Sequence, residues 1–136
     1  MACFKGKWEI QSSDKFTEYM DAIGVAAEKK EEALKFLGDG SKMSYEICNC
    51  GDEWEFHVGT QAGEKTIKFT LGKEFETFTL DGRPIKTTFT LDGENLKECQ
   101  RGDGFETTNV RTVDGDSMTM TMTGNGVTCT RRYKKV

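Results

Sequence analysis

The chain has 136 residues, with 19 Lys and Arg against 23 Asp and Glu and a formal net charge of −4. That length suits one domain, 1–136, with enough residues for a real core and too few for two typical domains. The acidic balance, with a pI near 5.1, and the lack of a basic stripe exclude a nucleic-acid phosphate backbone as partner.

At the N-terminus, Met1 to Trp8 hold no apolar h-region, and nowhere do 18 apolar residues run together, so a cytoplasmic protein is expected. A strand is expected over 4–12. Next, Phe16, Tyr19, Met20 and Ile23 form one helical stripe behind a cap at Ser12, Ser13 or Asp14, and Gly24 ends it. A second helix runs from Ala26 to about Leu37 and closes at Gly38. Its alternating Lys and Glu residues suit a solvated face with i,i+4 pairs. The sharper alternative is a lid, about 14–37, whose Lys29, Lys30 and Lys35 touch anionic membranes, a signal that Glu28, Glu31 and Glu32 dilute.

After the helices the rhythm changes to short alternating runs at 42–49, 53–59, 65–71, 75–80, 85–91, 95–101, 105–112, 117–123 and 127–134. Between them stand turn signals such as Asn49-Cys50-Gly51-Asp52, Asp81-Gly82, Asp92-Gly93, Asp114-Gly115 and Gly124-Asn125-Gly126, which supply the positive φ of tight hairpins. With the first strand, that is a ten-stranded antiparallel meander, closed or folded over on itself. Alternation sets Trp54, Phe56 and Val58 against Glu55 and His57, Ile67 and Phe69 against Lys68, and Met118, Met120 and Met122 against Thr119 and Thr121. The inward positions form the wall of any cavity or the plug at its closed end. Of these, the three methionines are the best candidates for the wall, since thioethers adapt to varied partners.

Five cysteines, Cys3, Cys48, Cys50, Cys99 and Cys129, match neither a metal-site spacing nor a disulfide framework and read as reduced thiols. Cys48 and Cys50 share one strand face; packing is their simplest role, a regulatory or metal-binding pair the alternative. His57, the one histidine, alternates outward. No GxSxG, phosphate loop or metal-ligand spacing appears, so neither an enzyme, a cofactor nor a metal is expected.

The last strand holds the oddity. Arg131 shares a face with Val127, Cys129 and Tyr133, and Arg111 ends a similar run upstream. A guanidinium on an apolar face requires an anion, since burying it unpaired is expensive. Two inward cations and a tyrosine hydroxyl suggest a receptor for a carboxylate.

The order of these motifs resembles the intracellular lipid-binding proteins, which include fatty-acid-binding and retinoid-binding proteins. The matching residues are Phe4-x-Gly6-Lys7-Trp8-x-Ile10, then Phe16-x-Glu18-Tyr19-Met20-x-x-Ile23-Gly24, then Gly72-Lys73-Glu74-Phe75-Glu76, and Val127-Thr128-Cys129-Thr130-Arg131-x-Tyr133. The end is similar to the heart, brain and myelin branch. The resemblance implies an all-β, ten-stranded up-and-down barrel (a β-clam) with a helix-turn-helix lid between the first two strands, acting as a monomer that transports a long-chain fatty acid. It implies that Arg131 and Tyr133 bond the carboxylate, that Arg111 acts directly or through water, and that the wall comes from Phe16, Tyr19, Met20, Trp54, Phe56, Ile67, Phe69, Met118, Met120 and Met122. A retinoic acid carrier is the alternative. A retinol carrier would leave two buried arginines without a charge to meet, and a membrane-stacking role would need a basic surface. Two departures stand out: a second-helix region several residues longer than in the heart-type branch, and Ala62-Gly63 where many relatives carry a portal phenylalanine.

Overall fold

The computed structural model describes residues 4–38, 41–61, 63–78 and 83–136, without the side chains of Leu37 and Cys50. Ten strands and two helices follow in the order β1 (Gly6–Asp14), α1 (Phe16–Ala22), α2 (Ala27–Leu37), β2 (Ser44–Cys50), β3 (Glu53–Thr60), β4 (Gly63–Thr70), β5 (Phe75–Phe78), β6 (Pro84–Asp92), β7 (Asn95–Gly102), β8 (Phe105–Asp114), β9 (Ser117–Gly124) and β10 (Val127–Lys135). All ten join one sheet in the order β4-β3-β2-β1-β10-β9-β8-β7-β6-β5. Apart from β4 and β5, which end the sheet on opposite sides, strands consecutive in the chain are neighbours in the sheet. The one pairing between strands distant in the chain is β1 with β10, which brings the first and last strands together and nearly closes a barrel.

The expected strands lie within about two residues of the observed ones. Residues 79–80, the Asp81-Gly82 turn, Ala62, Cys3 and the Cys50 side chain lie outside what is described. A correction falls on the first helix. Its N-cap is Lys15, at φ 62 and without a capping side chain, because β1 runs on past a bulge between Ile10 and Ser12. Ser12, Ser13 and Asp14 are thereby taken up in the ladder with Arg132, Arg131 and Thr130. Sheet pairing thus outweighs their capping preference.

Two contacts seat α1 on the barrel. A Cβ on Gly124 of β9 would stand 2.6 Å from Ile23 Cγ2 and 3.3 Å from Tyr19 Cε1, so only glycine admits the helix there. At its C-terminal end, Asn125 Nδ2 donates to Ala22 O at 2.6 Å and Arg83 Nη1 to Ile23 O at 2.8 Å, satisfying carbonyls that a helix end leaves open. Gly24, at φ +79, turns the chain toward α2. On α2, Lys30 pairs with Asp21 of α1 and Lys29 with Glu32 at 3.4 Å.

One end of the barrel is filled solid. Trp8 is fully buried and its Nε1–H donates to Phe4 O at 2.9 Å. The Trp54 ring meets Phe4 at 5.8 Å and Phe69 at 6.1 Å, while Phe69 stacks on Phe89 at 3.8 Å. Met118, with no exposed surface, pairs in register with Val113 and Tyr133. Apolar burial at this end supplies stability at about 25 cal/mol per Å² removed from water.

Candidate functional site

Between that plug and the helices lies a cavity of about 480 Å³, within the range of small-molecule sites. Of the wall residues expected from sequence, Phe16, Tyr19, Met20, Phe56, Ile67, Met120 and Met122 line it. Trp54, Phe69 and Met118 face inward without bordering it: Phe69 stands behind the lining rings of Phe89 and Phe75, Trp54 stacks behind Phe69, and Met118 lies on the Val113–Tyr133 rung. Alternation gives the face of a strand, not the depth along the barrel axis. The mouth lies among α2 (Lys29, Glu32, Phe36), the start of β4 (Gly63, Glu64) and Phe78 of β5, whose ring is 60% exposed.

The two inward arginines share a level, because Met120 of β9 is the register partner of both Arg111 on β8 and Arg131 on β10. Each is 3% exposed and each reaches the cavity wall. Their surroundings differ. Arg131 Nε–H donates to Tyr133 Oη at 3.0 Å, its Nη2 contacts Met43 Sδ at 3.0 Å, and its guanidinium lies 4.5 Å from the centre of the Phe16 ring. Tyr133, 2% exposed, stands behind Arg131 and off the cavity wall, against the Tyr45 ring at 5.5 Å. Burial pushes its hydroxyl well above the usual phenol range, with Tyr45 adding to the rise and Arg131 opposing it.

Arg111 instead meets a carboxylate of this chain, one that sequence reasoning missed. Its Nη1–H donates to Glu98 Oε1 at 3.0 Å, and both side chains are more than nine-tenths buried. Asn109 Nδ2 donates to the same oxygen at 3.3 Å, and Gln100 Nε2 donates to the other oxygen of Glu98. Burial works to lower the Arg111 pKa; the Glu98 charge and hydrogen bond outweigh it and leave the pKa raised. The rings of Phe56, Tyr45 and Phe89 lie 5.0, 5.7 and 5.9 Å from the guanidinium, a cation–π cage. Nearby, Arg111 Nε, Asn109 Oδ1 and Thr87 Oγ1 are buried with no hydrogen-bond partner among the described residues, so this wall has polar capacity for a ligand or water. A signal for Glu98 did exist. Counting back along both strands from the Gly102–Phe105 turn sets Glu98 opposite Asn109, one rung pair from Arg111.

With this geometry in view, the similarities are consistent in kind. The profile of the lipocalin / cytosolic fatty-acid binding protein family matches residues 1–136. The sodium/calcium exchanger regulatory protein 1 of Doryteuthis pealeii is 36% identical over 131 residues, covering 96% of this chain and 95% of its own. Human cellular retinoic acid-binding protein 2 is 33% identical over 139 residues, covering 98% of both. A solved structure titled REP1-NXSQ fatty acid transporter superposes with a TM-score of 0.86 at 36% identity, covering 97% of this chain and 95% of that one. Among the described residues no helix is long and apolar enough to cross a membrane. From its barrel, its helical pair and these matches, the chain belongs to the lipocalin / cytosolic fatty-acid binding protein family.

Proposed function

We propose that this protein is a non-catalytic, monomeric, cytoplasmic carrier that holds a long-chain fatty acid in the cavity, with the carboxylate at Arg131. The observation that carries the reading is a buried guanidinium on the wall of a cavity otherwise rich in apolar side chains. Tyr133 stands behind that guanidinium and orients it by accepting from Nε–H. Arg111, matched by Glu98, acts on the ligand through water and its polar neighbours rather than as the primary anchor. Charge-assisted hydrogen bonds contribute roughly 1.5–3 kcal/mol each, and a buried methylene about 0.8 kcal/mol. The chain therefore supplies most of the affinity, and the arginine selects acid over alcohol or ester. Exchange with membranes takes place through the α2 side of the mouth, bordered by Lys29, Glu32 and Phe36.

Displacement of a fluorescent fatty acid tests the reading. Arg131→Gln weakens binding at least about tenfold, near 1.4 kcal/mol, with an unchanged circular dichroism spectrum, and Tyr133→Phe weakens it less. Unchanged affinity in Arg131→Gln rules the site out. Retinoic acid is the second reading, favoured by the 33% identity to a retinoic acid-binding protein; it wins if retinoic acid displaces bound oleate at equal concentration.

A further inference from the structure

We propose that the outer face of the β2–β3 hairpin, away from the cavity, binds one zinc-class divalent cation through Cys48, His57 and Glu46, with Glu55 completing or flanking the coordination. Register assembles the group. Glu46 lies opposite His57 and Cys48 opposite Glu55, and Trp54, Phe56 and Val58 fill the other face of β3, so all four polar side chains project outward as a two-by-two array. Cross-strand partners on one face stand about 4.5–5.5 Å apart at Cβ, close enough for their donor atoms to share an ion. One donor atom each from Glu46, Cys48 and His57 already lies within 4.8 Å of the others. A tetrahedral zinc site holds its ligands roughly 3.3–3.8 Å apart, given Zn–N near 2.0 Å and Zn–S near 2.3 Å. Rotamer adjustments of about an ångström close that gap without moving the backbone.

Both ring nitrogens of the histidine are already engaged, which holds the ring in place. Nδ1 lies 3.1 Å from Thr66 Oγ1 on β4, which fixes the ring and, with Nδ1–H donating, leaves the Nε2 lone pair outward. A ligating histidine usually donates its far N–H to an oxygen acceptor that fixes the ring, and the Thr66 hydroxyl can serve as that acceptor. On its other side Nε2 lies 2.8 Å from Glu55 Oε1. Without metal that contact is a hydrogen bond from Nε2–H to the carboxylate; a cation takes the place of the Nε2 proton, which leaves to solvent, while Nδ1–H donates to Thr66 and Glu55 turns from hydrogen-bond acceptor to ligand. Cys48 is a free, half-buried thiol. A thiolate, an imidazole and a carboxylate together favour zinc or a similar borderline ion over calcium or magnesium, which take oxygen ligands. No linear spacing announces the site, because two of its ligands sit on one strand and the others on its neighbour.

Zinc titration of the reduced protein against a chromophoric chelator tests this. One equivalent binds; Cys48→Ser and His57→Ala each weaken it at least about tenfold, and Thr66→Val weakens it by a smaller factor. Cobalt(II) gives a thiolate charge-transfer band that Cys48→Ser removes and Cys99→Ser, on a distant strand, retains. Zinc also slows alkylation of Cys48, read by peptide mass spectrometry. Affinity unchanged in both Cys48→Ser and His57→Ala, no zinc bound, or no protection of Cys48 overturns the proposal. Because the array sits on the outer face, fatty acid displacement in these variants keeps its wild-type value, which separates this test from that of the cavity.

Discussion

Arg111 and Arg131 flank the same methionine, and among the described contacts Arg111 meets a carboxylate within the barrel while those of Arg131 include a tyrosine hydroxyl, a thioether and a ring face. Removing one partner of a buried pair leaves an uncompensated charge and costs about 3–5 kcal/mol, whereas replacing both is often close to neutral. Arg111→Met should therefore unfold at a markedly lower urea concentration. The double variant Glu98→Leu/Arg111→Met should recover most of the loss, giving a coupling of about 1–3 kcal/mol in a double-mutant cycle. Equal and additive losses would show that the pair is not coupled. At this scale the sequence was legible for direction only. Alternation correctly pointed Arg111 and Arg131 inward. It could not tell which inward anion Arg111 meets, because Glu98 lies on another strand and only hairpin register relates them.

Each helix is held differently, and the difference is a property of the elements rather than of single residues. α1 rests on β9 and β10 with its last carbonyls bonded by Asn125 and Arg83, while α2 meets α1 and borders the mouth. Gly124→Val places methyl groups where Ile23 and Tyr19 already stand. It should cost about 1–3 kcal/mol and, by amide hydrogen exchange, speed opening of α1 far more than that of β3. Uniform acceleration would mean the helix and barrel open as one unit. The helical stripe of Phe16, Tyr19 and Met20 was readable from its period, and all three are buried. The cap was not, because Ser12, Ser13 and Asp14 suit a cap and a strand end alike, and the partner that decides, β10, lies more than a hundred residues away.

Across the whole molecule, burial of weak acids sets an upper pH limit. Burial raises the Cys129 thiol from 9.0 to about 11, with Arg131 pulling the other way. Burial likewise raises Tyr19 from 10.0 to about 12, opposed by Thr107. Both groups are neutral in the folded protein where the unfolded chain would lose the proton. Their stabilising effect is thus complete below about pH 9 and fades as pH climbs through about 11 and then about 12. Urea midpoints should hold level up to pH 9 and fall above it, and Cys129→Ala should flatten the first part of that fall. A midpoint independent of pH across this window would contradict the burial seen at both groups.

The sheet order ends at β4 on one side and β5 on the other. These two strands border the cavity mouth through Glu64 and Phe78, and the described contacts between them are ring stacks, Phe69 on Phe75 at 6.1 Å. Such stacking is worth about 0.5–1.5 kcal/mol beyond area burial, less than a run of ladder hydrogen bonds, each of which costs a desolvated donor or acceptor when broken. The barrel therefore has an expansion joint. On the proposed reading, a bulkier or kinked tail would widen the interior by sliding aromatic faces along this line while every rung of the ten-stranded ladder stays intact.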